Sequence, residues 1–100
     1  MKEIKHYVEQ IREELEGAEH YAKIAAKLKD TDPTNSAEYA EMSRQELSHV
    51  DKLHKMAVRA IEKKRSEGVT PPPAMQAVWD WEHEKMMDKV TRIKTLLSMT

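Results

Sequence analysis

The chain contains no cysteine and no phenylalanine. Without cysteine there is no disulfide, no thiol nucleophile, no cysteine-based zinc site and no four-thiolate iron centre. The redox compartment is left open by the same absence. Aromatics are scarce, with three tyrosines and two tryptophans. Glycine is limited to Gly17 and Gly68, and proline to Pro33 and the run Pro71 to Pro73. Long stretches therefore carry no helix breaker. Neither sign of charge dominates: 17 Lys and Arg face 18 Asp and Glu. That balance argues against nucleic acid as a partner, and Lys63, Lys64 and Arg65 make only a short basic end rather than a stripe. No apolar run is long enough to cross a membrane. The opening MKEIKHYVEQ has no apolar segment of the kind that directs secretion. A cytoplasmic location is expected.

What is present is Ala, Glu, Lys and Met in abundance, the composition of helices with charged outer faces. One hundred residues make one domain, 1–100, able to bury only a modest core. Pairing with a second copy is the expected way to complete it.

The periodicity predicts three helices, over about residues 2–29, 37–65 and 74–99. In the first, Ile4, Tyr7, Ile11, Glu14, Ala18, Tyr21, Ala25 and Leu28 alternate in steps of three and four, the mark of a heptad seam. Val8, Leu15, Ala22 and Ala26 widen that stripe, and Gly17 on its border can allow close helix approach. Asp30 to Ser36 reads as a break, with Pro33 interrupting and polar side chains available as caps. The second helix has its seam at Tyr39, Met42, Glu46, His49, Leu53, Met56 and Ala60, broadened by Leu47, Val50, Ala57 and Ile61. GVTPPP (68–73) ends it as a stiff link. The third helix carries Val78, Trp79, Met86, Val90, Ile93, Leu96 and Leu97 as its apolar positions. The expected fold is all-α: an antiparallel two-helix hairpin plus a C-terminal third helix, completed to a four-helix bundle by dimerisation.

Three ionisable residues stand where the seams call for apolar ones: Glu14 on the first helix, and Glu46 and His49 on the second. Uncompensated carboxylates in an interior are costly, and a divalent metal offsets that cost. Glu and His three apart share a helical face and reach one ion. One Glu plus one Glu-x-x-His is half the ligand set of a di-iron four-helix bundle, and a two-fold dimer supplies the other half. Bland readings stand beside this one. Glu14 can pair with a Lys or Arg, His49 can be a satisfied core histidine, and a register built on Leu15 would turn Glu16 inward instead of Glu14.

Two blocks, EELEGAEHY (13–21) and ELSHVDKL (46–53), resemble the ferritin-like superfamily, in particular the short half-ferritins packaged in encapsulin nanocompartments and their rubrerythrin-like relatives. The resemblance covers about residues 10 to 60. It implies a ferroxidase that oxidises Fe(II) to Fe(III) with dioxygen at a di-iron site between two subunits. It also implies metal ligands at Glu14, Glu46 and His49, and a site tyrosine at Tyr21. On that reading there are two iron ions per dimer, bridged by Glu46, with Glu14 and His49 as terminal ligands. The affinity order of such donor sets lets zinc occupy the same position, and calcium is a further possible occupant. The resemblance further implies a homodimer at minimum, a ring of dimers beyond it, and a place inside an encapsulin shell. No docking tail is recognisable after Leu97. The competing expectation is a metal-free helical scaffold that binds a partner protein through its C-terminal helix.

Other residues attract plainer expectations. His6, His20 and His54 read as surface histidines. Trp79 and Trp81, within WDWEHE, read as packing anchors. Glu82 and His83 are adjacent and so unsuited to one ion. Met56, Met75, Met86 and Met87 read as core fillers or contacts rather than ligands.

Overall fold

The computed structural model describes residues 2–100 and, among these, is wholly helical: α1 (Lys2–Leu28), α2 (Pro33–Ser66) and α3 (Pro73–Ser98). The molecule is a rod of 56 × 18 × 17 Å, its length set by α2. No helix among the described residues is long and apolar enough to cross a membrane.

The break between α1 and α2 is shorter than the sequence suggests. Pro33 opens α2 rather than interrupting it, so the helix begins four residues before Ala37. A first-turn residue has no use for an intrahelical N–H, and the proline ring presets the helical φ. Asp32 caps the turn: its Oδ1 accepts from the Asn35 backbone N–H at 3.2 Å, and its Oδ2 accepts from the Asn35 side-chain amide at 2.8 Å. At the far end of α2, Gly68 takes φ 80. The Val69 N–H reaches back to the Lys64 carbonyl at 2.9 Å and the Gly68 N–H to Arg65 at 3.0 Å, the paired bonds of a Schellman stop. Lys63, Lys64 and Arg65 lie in this last turn, where cations complement the helix dipole.

The α1–α2 hairpin is built on small residues. Ile11, Leu15, Ala18, Ala22 and Ala25 of α1 face Ser36, Ala40, Ser43, Val50 and Ala57 of α2, and all are buried. Two serine hydroxyls cross the seam: Ser36 donates to the Ala25 carbonyl at 2.6 Å, and Ser43 to the Ala18 carbonyl at 2.7 Å. The two bonds are seven residues apart on each helix, the α2 donors advancing along the chain as the α1 acceptors recede, which fixes an antiparallel register.

This line corrects the expected seams. On α1 the seam residues Ile11, Ala18 and Ala25 are buried, but Ile4, Tyr7, Glu14, Tyr21 and Leu28 are half-buried. On α2 no residue of the expected seam is buried, and Met42 and Met56 are exposed. An apolar stripe four positions wide has two edges. The hairpin closes on one edge and leaves the other on an open face.

α3 lies alongside α1 and runs parallel to it, since Arg12 pairs with Glu82 at 3.1 Å and Glu19 with Lys89 at 3.9 Å, seven residues further on in both. Its carboxyl-terminal half is seated through Ile93 and Leu97, with Met86, Val90 and Leu96 packed beside them. Its amino-terminal half is looser. Met75 and Val78 are exposed there, as is Met87 just past the midpoint, against expectation. Trp79 is half-buried, but Trp81 is 57% exposed and holds only the Lys85 ammonium, 4.0 Å from its ring. It is not a packing anchor.

The two glycines have opposite roles. A Cβ on Gly17 would come no nearer than 3.7 Å to its closest neighbour, the Glu46 side chain, an ordinary contact, so close helix approach does not require the glycine. Gly17→Ala should stabilise the chain by up to about 1 kcal/mol through helix propensity. A Cβ on Gly68 meets nothing, but the backbone is left-handed there, so Gly68→Ala should cost about 1 kcal/mol. Urea denaturation of the two variants should move the midpoint in opposite directions; shifts of the same sign would contradict this account.

Candidate metal site on the open face

The serine-pinned register carries a second set of layers along the open edge of the hairpin. Next to the Ser43–Ala18 bond, the rings of Tyr21 and Tyr39 lie 6.1 Å apart. Seven residues back on α1 and seven forward on α2 is the layer of Glu14 and Glu46. His49 follows Glu46 by one turn on the same face. The structure thus brings together all three residues that interrupt the expected seams.

Their geometry is convergent without being closed. His49 Nδ1 lies 3.5 Å from Glu14 Oε2 and 3.9 Å from Glu46 Oε2. These separations are too long for strong hydrogen bonds, so the three groups face a shared space rather than satisfying one another. One ligand atom from each lies within 4.8 Å of the others, and no other such group of three occurs among the described residues. Neither carboxylate is paired with a Lys or Arg among the described residues. Glu16 is exposed and lines a cleft on the opposite side of α1, so Glu14 is the carboxylate that faces the site.

Burial falls short of the sequence expectation. The side chains of Glu14, Glu46 and His49 are 31%, 26% and 51% exposed. The group sits on an open face of the single chain, not in an interior, because the hairpin buries the neighbouring edge of the stripe. Water therefore relieves part of the cost of two close carboxylates.

The donor set fits a divalent transition metal: two carboxylate oxygens and one imidazole nitrogen suit ferrous iron or zinc. Glu14, Glu46 and His49 would hold the ion, leaving room for further ligands. Tyr21 stands with Tyr39 in the adjacent layer, one heptad along α1 from Glu14.

Other residues separate from this group. His20 is exposed, with its ring 5.9 Å from that of Tyr21. Glu19 is engaged by Lys23 and Lys89. In WDWEHE, Glu82 turns to Arg12, Asp80 accepts from Gln76, and His83 stacks on His54 with ring centroids 5.0 Å apart. His54 is thus half-buried and not the surface histidine expected. The signal was present in the sequence: Ser36, Ala40, Ser43, Leu47, Val50, His54, Ala57 and Ile61 also alternate by four and three.

No protein-family model matches the chain, and no curated protein or solved structure matches it.

Zinc or ferrous ion added to metal-free protein should raise the melting temperature, by mass action on the folded state, worth about 2.7 kcal/mol when the free ion reaches a hundredfold its dissociation constant. Glu14→Gln, Glu46→Gln and His49→Gln should each remove that rise. Glu46→Gln should not lower the stability of the metal-free chain, since it relieves the repulsion between two close carboxylates. A metal-dependent rise that survives all three substitutions would place the ion elsewhere.

Proposed function

We propose that two copies of this chain join their open faces and act as a ferroxidase of the ferritin-like kind, oxidising ferrous iron with dioxygen at a di-iron site between them. One observation carries the reading: Glu14, Glu46 and His49 converge on the face that the hairpin leaves open. Two further features support it. The half-buried Tyr7, Tyr21, Tyr39 and Leu53 and the exposed Met42 and Met56 continue the apolar stripe on that face. The donor set is half of what a two-metal bundle requires, so a two-fold pair completes it.

In this reading Glu14, Glu46 and His49 of each copy bind the iron substrate. The carboxylates offset its positive charge, and the apolar residues around them exclude water once the faces join. Each ferrous ion supplies one electron on becoming ferric, and dioxygen accepts the pair together with two protons to give hydrogen peroxide. Tyr21 and Tyr39 brace the adjacent layer of the hairpin.

A second reading has its own observation. Met75, Val78, Trp81 and Met87 leave apolar surface on α3, as a metal-free scaffold that captures a partner protein would need. Iron chemistry separates the two. Ferrous iron added without air should bind near one ion per chain and shift the mass to a dimer or larger. Admitting air should then give rapid ferric absorbance, and Glu46→Ala and His49→Ala should each lose binding and oxidation. Binding no better than that of the variants would remove the ferroxidase reading and leave the scaffold.

A further inference from the structure

α2 and α3 meet in few places, since α3 packs chiefly against α1. The direct ring contact between them is the stack of His54 on His83, at 5.0 Å and 28°. It sits beside a cleft of about 690 Å³ between α3 and the hairpin. A second cleft of about 730 Å³ follows toward the proline link, and Trp79 and Glu82 border both. The amino-terminal half of α3 is thus held off the hairpin along two hollows. Its fixed points there are the histidine stack, the Arg12–Glu82 pair, and a long hydrogen bond of 3.4 Å that the Arg65 guanidinium donates to the Gln76 side-chain carbonyl, the last two open to solvent and so weak.

We propose that His54 and His83 form an acid-sensitive latch that holds the amino-terminal half of α3 against the hairpin. Two neutral imidazoles stack favourably, whereas two imidazolium ions at this distance repel. The surroundings do not absorb added charge. α1 presents Arg12 and Glu16 to the cleft, and α2 contributes Asp51, one turn before His54. α3 presents Glu82, Asp88, Lys85, Lys89 and Arg92. Acids and bases are evenly matched there, and Glu82 is already engaged by Arg12, so protonation leaves the cleft positive. The His54 pKa is lowered by burial first and by His83 second, with Asp51 acting in the opposite direction. The released form therefore binds more protons than the docked form. Docking is fully favoured above the ordinary histidine value of 6.5 and weakens as pH falls from there through the lowered value. None of Glu14, Glu46 and His49 takes part, so the latch stands or falls independently of the metal reading.

The two tryptophans both lie on this half of α3, and Trp79 lines both clefts. In a Trp81→Phe background, Trp79 fluorescence reports docking. Lowering the pH of metal-free protein from about 8 to about 5 should move its emission to longer wavelength while helical circular dichroism holds. His54→Gln and His83→Gln should each abolish the shift. No shift, an equal shift in both variants, or a shift that tracks loss of helix would overturn the proposal. If a variant is undocked at both extremes, the imidazole C2–H resonances of the unsubstituted chain decide. His54 should titrate below the ordinary histidine value of 6.5, and titration at or above that value would overturn the latch.

Discussion

The fold depends on two serine hydroxyls that reach across a seam of alanines. Ser36 and Ser43 donate to the Ala25 and Ala18 carbonyls, and only side chains this small let two helices approach so closely. Each bond is worth about 1 kcal/mol net, but the pair does more than add stability. A slide by one residue would strand both hydroxyls in an apolar seam, where an unpartnered donor is costly. The bonds therefore act as a register key, and every layer above and below inherits its partner from them. The Tyr21–Tyr39 layer and the Glu14–Glu46–His49 layer are two such consequences.

That key also determines which side of the apolar stripe remains open. A hairpin of two helices can bury one edge of each stripe, and the alanine and serine edge wins because it permits the closer approach. The larger residues on the other edge, Tyr7, Met42, Leu53 and Met56, are then left together with the carboxylates and the imidazole. Polar and apolar groups sharing one exposed surface is the expected arrangement of a face that is completed by something else. The ferroxidase proposal supplies a second copy for that role. α3 cannot supply it, because its ion pairs with α1 place it on the other side of the hairpin.

The three helices were legible from the sequence because heptad spacing and the scarcity of glycine and proline leave little alternative. The three residues that converge on the open face were legible for a related reason: ionisable groups at seam positions are conspicuous against an apolar alternation. The depth of those residues was not. Two heptad lines, one position apart, run along α2, and both alternate by three and four. Hydrophobicity favours the line with Met42, Leu53 and Met56, while packing chose the line with Ser36, Ala40 and Ser43, since serine reads as polar until its hydroxyl finds a carbonyl. The same ambiguity hid His54, which belongs to the chosen line. Pro33 is ambiguous in a sequence because its effect depends on position: it breaks a helix interior and starts a first turn equally well.

A register counted in sevens on both strands of a hairpin makes its length a quantised property. Removing one residue between Ser43 and Glu46 would turn the carboxylate by roughly 100° about the helix axis, away from Glu14, while leaving the serine key intact. Removing seven from one helix alone would shift each layer onto the wrong partner. Matched changes of a whole heptad in both helices preserve every layer. The short turn from Lys29 to Asp32 lies outside the count, so variation in length is accommodated there without reaching the site.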